Sequence, residues 1–236
     1  MNRKLYSKLL NISELTPESI VQMFHLFQQY FDNCIYECFL HDLKKKQYVI
    51  QLFDTATDTI KGFTTLSLFS HTYLNKKITV VFSGDTIISK HFWWTNELAK
   101  NGMKAVLKLT NNDDIPVYWL LLSSGYRTYR FLPVFFKEFY PRYDKPTPED
   151  KQNLMNDVAK KLFEDEFFTE FGVVRFKQGV TFMKKELLDF DKSRLENPHI
   201  NFFIKRNPGY INGDELVCLT QINENNFTLA GKRMLR

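Results

Sequence analysis

The sequence predicts a mixed α/β protein in which helices pack against a central β-sheet. Thr16 and Pro17 open a segment whose apolar residues recur at helical spacing, and a polar cap followed by proline is typical of a helix start. Further along, Tyr48 to Phe53 and Gly62 to Phe69 are apolar runs on either side of the turn-rich segment Asp54 to Lys61. Two such runs predict a β-hairpin.

The composition is that of a globular protein with a substantial core. The chain has 236 residues, of which 44% are hydrophobic and 25% charged, and these values exclude a disordered protein. Aromatic residues make up 16%, with 23 Phe against only 9 Gly. This aromatic excess favours close packing between helices and a sheet, and it also fits an apolar groove for a ligand with a hydrocarbon portion.

Charge, cysteines and apolar runs indicate where the protein acts. The net charge of +5 is modest for a nucleic-acid binder, so we expect no nucleic-acid partner. Cys34, Cys38 and Cys218 are an odd number of cysteines, which fits a reducing compartment. The first residues lack the apolar segment of a secretory signal, and we expect no membrane span because the longest apolar runs fall far below the roughly 20 residues required. We therefore expect a cytoplasmic protein.

The remaining elements of the first part follow from periodicity and turn residues. The expected order for the first 140 residues is ααββββαβα or close to it. Lys44, Lys45 and Lys46 are interpreted as the solvated end of the second helix, where cations meet the carbonyl end of the helix dipole. After the first helix and the hairpin, the predictions are a helix over Ile35 to Lys44, a strand over Ile78 to Ile88, a helix over His91 to Leu109, a polar loop over Thr110 to Asp114, a strand over Val117 to Ser123 and a helix over Tyr129 to Tyr140.

A boundary is expected near Asp144. Residues 143–148 have the composition of a linker, and Thr147 and Pro148 repeat the pattern of a helix start. We therefore divide the chain into a core, residues 1–144, and a C-terminal α+β extension, residues 145–236, that packs on the core and is not independent. Glu215 to Thr220 is the expected strand of the extension. Within the core, Val80 to Pro141 is the expected working part.

The motifs of several common enzyme classes are absent from the sequence. It contains no P-loop, no G-x-G-x-x-G, no G-x-S-x-G and no H-E-x-x-H. Cys34, Cys38 and His41 have the residue types of metal ligands, but no fourth ligand lies nearby, so we expect a helix face and no metal.

The order hairpin, strand, helix, strand, helix between Tyr48 and Tyr140 resembles the core of the Gcn5-related N-acyltransferases, the GNAT fold. VVFSGDTIISKHFWWTNEL stands where that family has a strand, an acyl-CoA-binding turn and a helix, and YWLLLSSGYRTYRF stands where it has the next strand and helix. The resemblance implies a mixed, mostly antiparallel central sheet flanked by helices. It also implies a donor pyrophosphate at the N-terminus of the first of these helices.

The turn departs from the family's glycine-containing pattern Q/R-x-x-G-x-G/A. This chain has Phe92-Trp93-Trp94-Thr95-Asn96-Glu97 at that place, and bulky side chains hinder the approach of backbone amides to phosphate. Three possibilities stay open: an acyl-carrier-protein donor, a reshaped donor site, and a GNAT-like fold without catalysis.

The resemblance also suggests roles for particular residues. Asp85 is the candidate base that takes a proton from the acceptor, although Gly-Asp-Thr is also an ordinary turn sequence. Tyr129 is the candidate acid for the leaving thiolate, and its alternative role is aromatic packing. At the donor site we place Arg127 and Arg130, which suit phosphate or carboxylate, and the tryptophans Trp93 and Trp94.

Three further strings resemble a family of largely uncharacterised bacterial proteins. They are SGDTII from Ser83, GYRTYRFLPVFFKEFYPRYD from Gly125, and NPGYINGDELVCL from Asn207. The match extends past the linker and implies that the C-terminal part is integral to the protein. In that part Asp214, Glu215 and Cys218 form a polar group, in which Cys218 is interpreted as an inert core thiol.

The leading hypothesis is an acyltransferase that moves an acyl group from acyl-CoA or an acyl-carrier thioester to an amine or hydroxyl. The aromatic segment Phe131 to Phe139 would line a groove for the acyl chain. The alternative is a non-catalytic GNAT-like protein that binds a small anionic or lipid-like ligand, or another protein, in the same cleft.

Overall fold

The computed structural model describes residues 4–110, 115–177, 181–188 and 192–236. No helix in this part of the chain has both the length and the apolar character needed to cross a membrane. The strands are β1 Leu5–Asn11, β2 Phe31–Asp32, β3 Tyr48–Asp54, β4 Ile60–Tyr73, β5 Lys76–Ile88, β6 Val117–Ser123, β7 Phe139–Tyr140, β8 Phe167–Phe168, β9 Val173–Val174, β10 Phe182–Met183 and β11 Glu215–Ile222. The helices are α1 Pro17–Gln28, α2 Tyr36–Lys44, α3 Glu97–Leu109, α4 Tyr126–Tyr129, α5 Phe131–Phe135, α6 Glu149–Phe163, α7 Lys185–Leu188, α8 Pro198–Arg206 and α9 Leu229–Leu235.

The predicted fold class is confirmed, because the central sheet is mixed and mostly antiparallel and helices flank it. Its strand order is β1-β3-β4-β5-β6-β11-β9-β8, and β7 adds a third partner to β11. Every neighbouring pair is antiparallel except β5 and β6, which run parallel. The short strands β2 and β10 pair separately.

Alternation along the strands divides the core between the two faces of the sheet. On one face, Ile50 of β3 and Val81 of β5 join a cluster with residues of α3, α5 and α9. The opposite face carries two clusters side by side. One joins the β1–β4 half to α1 and α2, and the other joins β5, β6 and β11 to α6. We call this second face the α1/α6 face.

The C-terminal part of the chain contributes a central strand. β11 lies directly beside β6, from the pair Leu216–Ser123 to the pair Ile222–Val117. On its other side β11 pairs with β7 and β9. The predicted strand from Glu215 is therefore present and extends to Ile222, while the boundary near Asp144 stays a prediction.

Three expectations from the sequence need correction. The chain has a strand before its first helix, β1, which pairs along its length with β3. Helix α3 begins at Glu97 instead of His91, because Thr95 Oγ1 accepts a hydrogen bond from the Glu97 amide and the preceding residues form turns. Residues 111–114 of the expected polar loop lie outside the described part of the chain.

The third correction concerns the helix expected over Tyr129 to Tyr140. Helical structure ends at Phe135, because Phe136 is extended and residues Phe139 and Tyr140 pair with β11. Phe135, Phe136 and Phe139 are buried in the core. Their side chains are therefore used for packing and do not line an open groove for an acyl chain.

Two glycines offer a matched test of this packing. A Cβ at Gly231 of α9 would lie 2.5 Å from the carbonyl oxygen of Phe135, which belongs to the backbone and cannot rotate away. A Cβ at Gly102 of α3 would lie 3.6 Å from a methyl group of Thr64, an ordinary contact. We expect Gly231→Ala to lower the melting temperature by several degrees. Gly102→Ala should raise it, since alanine stabilises a helix interior by about 0.5–1 kcal/mol relative to glycine. Equal effects of the two changes would contradict the packing of α9 on α5.

Candidate functional site

Strands β5 and β6 pair along only part of their length. The parallel pairing runs from Thr79–Val117 to Ser83–Leu121 and then stops, although β5 continues to Ile88. At this point β5 has a bulge, because Leu66 pairs with Ser83 while Thr64 pairs with Thr86. Gly84 and Asp85 thus stand opposite a single residue of β4, Thr65. Bulges redirect side chains and are frequent next to active sites.

Asp85 lies on this bulge and keeps partial contact with solvent. Burial raises the pKa of its carboxyl group above the usual value, and the negative charge of Asp42 adds to this effect. The positive charge of Lys46 opposes it. A carboxylate in such a place is a stronger base than an ordinary aspartate while remaining accessible to a ligand.

A second carboxyl group, that of Glu215, lies near Asp85. Glu215 is the first residue of β11, and alternation along the strand directs it to the α1/α6 face, as it directs Val217 and Leu219. Burial raises the pKa of Glu215 to about 8, and the negative charge of Asp85 contributes to the increase. The negative charge of Asp85 opposes the ionisation of Glu215 and, together with burial, favours the protonated form of Glu215 near neutral pH.

The loop before β11 fixes the start of that strand. Arg175 donates two hydrogen bonds to the carboxylate of Asp214, at 2.8 and 2.6 Å, and Asn207 Nδ2 donates to the Asp214 carbonyl oxygen at 2.9 Å. A Cβ at Gly209 would lie 2.2 Å from Asp214 Oδ2, so only glycine fits there. The string that begins at Asn207 therefore serves to position Asp214 and, next to it, Glu215.

Lys46 and Thr65 complete what we call the carboxylate site, formed by Lys46, Thr65, Asp85 and Glu215. Lys46 Nζ lies 5.2 Å from the centre of the Phe82 ring, on the α1/α6 face. A Cβ at Gly84 would lie 2.5 Å from both Lys46 Cε and Thr65 Oγ1, so the bulge needs glycine to admit them. Thr65 is fully buried, and its hydroxyl has no hydrogen-bond partner among the described residues. An unpaired buried hydroxyl is costly and marks a position where a ligand or water can bind.

The segment from residue 181 to residue 188 lies along the edge of the site. Met183 packs against the cluster of α1 and α2, and its Cε atom would lie 3.3 Å from a Cβ at Gly125, just after β6. The positive charge of Lys184 and the negative charge of Asp85 both act on Cys34, whose pKa burial raises to about 11. The segment therefore connects the α1 side of the sheet with the end of β6.

The expected donor residues Trp93 and Arg127 are brought together. The Arg127 guanidinium carbon lies 4.5 Å from the centre of the Trp93 ring, a cation–π contact between the loop after β5 and the start of α4. The Trp93 indole donates to the Ile88 carbonyl oxygen and the Trp94 indole to that of His91, both at 2.8 Å. The two rings remain 41% and 71% exposed.

The N-terminus of α3 differs from a phosphate-binding helix end. The amide of Glu97 is bonded to Thr95 Oγ1 at 3.1 Å, and the carboxylate of Glu97 stands in the first turn. An acid there satisfies the positive end of the helix dipole and repels a phosphate. Two exposed cations can contact an anion in this region instead. They are Arg127 of α4 and Lys90 of the loop after β5.

Tyr129 lies in the interior of the protein, whereas Arg130 directly follows α4 and is half-buried. Tyr129 is fully buried among Phe139, Phe202 and Phe203, and its hydroxyl donates to the Pro141 carbonyl oxygen at 2.9 Å. Burial raises its pKa, and the charged groups that act on it do not include Asp85. The charge of Arg130 acts on His199. Burial lowers the pKa of His199, and the charges of Arg142 and Arg130 add to that decrease. The structure therefore does not place Tyr129 beside Asp85.

The remaining candidates of the sequence are cysteines. Cys218 is fully buried, and burial raises its pKa to about 12, as expected for an inert core thiol. All three cysteines are unpaired. Among the residues that the structure describes, no group of three or more His, Cys, Asp or Glu side chains is arranged to hold a metal ion.

Sequence reasoning missed Lys46 and Thr65 and gave Glu215 no role. Lys44 and Lys45 are exposed, as expected, but Lys46 turns into the sheet, and nothing in a run of three lysines distinguishes the third. Glu215 did carry a signal, since it is a charged residue at the start of the apolar run Leu216 to Leu219.

The sequence and the structure were compared with those of known proteins. No protein-family profile matches the sequence, and no curated protein sequence is similar to it. Solved structures of similar fold include a probable N-acyltransferase from Enterococcus faecalis, with 13% identity, coverage of 67% of this chain and 44% of the other, and a TM-score of 0.42. This chain thus spans less than half of the length of that protein.

Two other solved structures of similar fold are acetyltransferases. A GNAT family N-acetyltransferase from Escherichia coli, solved in complex with CoA, is 11% identical over 52% of this chain and 66% of its own length, with a TM-score of 0.37. Glucosamine-6-phosphate N-acetyltransferase from Arabidopsis thaliana is 12% identical over 50% of this chain and 81% of its own, also with a TM-score of 0.37.

The raised pKa of Glu215 predicts how stability depends on pH. The folded protein holds this proton up to about pH 8, whereas the unfolded chain releases it near the usual glutamate value of 4.5. The folded state therefore binds more protons between these values, and its stability falls as the pH rises from about 5 to 9. Glu215→Gln has no proton to lose, so we expect its chemical-denaturation midpoint to fall less over this range. Glu224→Gln, at an exposed position, is the matched control and should keep the wild-type slope. A wild-type slope in Glu215→Gln would contradict the assignment.

Proposed function

We propose that the protein is an acyltransferase that transfers an acyl group from a thioester to an amine or hydroxyl acceptor. The observation that carries the proposal is the position of Asp85, a partly solvated carboxylate of raised pKa on the bulge where β5 leaves β6. A base at this point stands where β5 and β6 are no longer paired. Active-site carboxylates with raised pKa are typical of general bases.

Asp85 acts on the acceptor. The nitrogen or oxygen of the acceptor attacks the thioester carbonyl carbon, a new C–N or C–O bond forms, and the carbon–sulfur bond breaks. Asp85 accepts the proton that the acceptor loses, either directly or through one water molecule. The positive charge of Lys46 opposes the effect of burial on Asp85 and favours its ionised form. The leaving thiolate needs a proton, for which the sequence resemblance suggests Tyr129.

We place the donor against the loop after β5 and the start of α4. Arg127 and Arg130 would contact its anionic groups, and the exposed rings of Trp93 and Trp94 would contact its apolar or ring portions. Both acyl-CoA and an acyl-carrier thioester fit this description, because both carry phosphate. The three unpaired cysteines agree with a reaction in the cytoplasm.

A non-catalytic binding protein is the second candidate function. Two features favour it. The carboxylate of Glu97 at the N-terminus of α3 repels a pyrophosphate, and the Trp93–Arg127 contact stands where a pyrophosphate needs an open turn lined by glycine. Such a protein would bind a small anionic ligand in a stable complex without turnover.

Replacement of the base tests the catalytic proposal. We expect Asp85→Asn to lower kcat/KM by about 10²- to 10⁴-fold, the usual contribution of a general base. The measurement is thiol release from acetyl-CoA, octanoyl-CoA and S-acetyl-N-acetylcysteamine in the presence of primary amines such as lysine methyl ester and 1,4-diaminobutane. Asp165→Asn, at an exposed acid paired with Lys177, is the control and should keep the wild-type rate. Absence of thiol release by the wild-type protein with every donor and acceptor would favour the binding protein.

The donor position is tested separately at Arg127. We expect Arg127→Gln to raise KM for acetyl-CoA about tenfold, because a charged contact to phosphate contributes about 1.5–3 kcal/mol. The effect on S-acetyl-N-acetylcysteamine should be small, since this donor has no phosphate. Lys232→Gln, an exposed cation on α9, serves as the control. An equal change in KM for both donors would place the phosphates elsewhere.

A further inference from the structure

We infer that Glu215, contributed by the C-terminal strand β11, is the general acid that protonates the leaving thiolate. The inference rests on the proposed acyl transfer and assigns a catalytic residue that neither the sequence motifs nor the fold resemblance suggests.

Position is the first argument. Glu215 stands at the end of β11 that adjoins the end of β6, where Leu216 pairs with Ser123. This is the end of the sheet at which β6 has already parted from β5. Asp85 and Glu215 are therefore carried by strands on either side of β6, and both face the α1/α6 face of the sheet. A thioester between them would have the acceptor on the Asp85 side and its sulfur toward Glu215.

Protonation is the second argument. At neutral pH a general acid must hold a proton, and Glu215 does so because burial raises its pKa to about 8. An alkyl thiol has a pKa of about 8.5, so the carboxyl group and the leaving thiolate are closely matched for proton transfer. The charged groups that face Glu215 are Asp85 from β5 and Lys46 from the turn before β3, and those that face Asp85 are Lys46 and Asp42. A carboxyl group that keeps its proton beside a second carboxyl group can supply the acid of an acid–base pair.

Rigid support is the third argument. Asn207, Gly209 and the two hydrogen bonds from Arg175 hold Asp214, the residue before Glu215. The buried Thr65 hydroxyl, unpartnered among the described residues, lies against Gly84 of the bulge and can bind an oxygen atom of the ligand. By contrast, the Tyr129 hydroxyl already donates to Pro141 and is fully buried.

The step balances without any further reactant. The acceptor nitrogen forms a bond to the carbonyl carbon and gives its proton to Asp85. The carbon–sulfur bond breaks, its electron pair goes to sulfur, and the Glu215 proton moves to that sulfur. The products are an amide and a free thiol. Afterwards Asp85 returns a proton to Glu215 through solvent, which restores the starting state.

The leaving group provides the test. We expect Glu215→Gln to lower kcat about 100-fold with S-acetyl-N-acetylcysteamine, whose alkyl thiolate needs protonation, and at most threefold with S-phenyl thioacetate, whose thiolate leaves without a proton. Asp85→Asn should be impaired with both donors, because the base acts on the acceptor. The decrease in wild-type kcat above about pH 8 should disappear in Glu215→Gln.

Several outcomes would overturn the assignment. An equal loss with both donors in Glu215→Gln would indicate a structural role, and an undiminished rate with the alkyl thioester would indicate no role. If Tyr129→Phe lowered kcat only with alkyl thioesters and Glu215→Gln did not, Tyr129 would be the general acid. Failure of the proposed function is distinct from all of these, because the wild-type protein would then turn over neither donor. Circular dichroism of each variant separates loss of chemistry from loss of fold.

Discussion

The parting of β5 from β6 is the constraint on which the candidate site depends. Parallel strands that remained paired to their ends would leave no space between them, and the side chains at their termini would be packed. Here the bulge at Gly84 and Asp85 lets β5 stay bonded to β4 while it leaves β6. One extra residue in a strand thus coincides with the end of the β5–β6 pairing and sets the face to which the Asp85 carboxyl group points.

The electrostatics of the site follow from burial and from the charges nearby. Carboxyl groups surrounded by protein lose much of their hydration, and two of them close together repel each other when both are ionised. The positive charge of Lys46 lowers the pKa of both carboxyl groups, against the effect of burial. The negative charge of Asp85 raises the pKa of Glu215, so these surroundings favour a proton on Glu215.

Local periodicity was enough to predict five strands of the sheet, β3, β4, β5, β6 and β11, and most of its flanking helices. The hairpin of β3 and β4, the strands β5 and β6, and Glu215 as the start of a strand are all present. The predictions that failed concern segments whose structure depends on contacts with residues far away in the sequence. The segment before α1 becomes a strand only because β3 lies beside it, and Phe139 and Tyr140 are drawn out of a helical pattern by pairing with β11. Aromatic residues that suit a helix equally suit a strand, so the sequence could not decide between them.

The candidate site was also predictable only in part. Asp85 lies within a predicted strand, and the resemblance made it a candidate. Lys46, Thr65 and Glu215 meet it only through the order of strands in the sheet, an arrangement that no local string encodes. The Trp93–Arg127 contact joins the loop after β5 to the start of α4, and the resemblance had placed both at the donor site. The two residues could therefore be named from the sequence, but their stacking could not.

The position of β11 between β6 and β9 has a consequence for the way the protein is made. During synthesis β6 emerges from the ribosome long before β11, and until β11 arrives its outer edge has no partner. The nascent chain therefore contains Asp85 before Glu215 has been made. Until then the outer edge of β6 is unpaired and prone to aggregation. The same late pairing that closes the sheet also completes the acid–base pair, so a chain can acquire the full site only after its main folding hazard has passed.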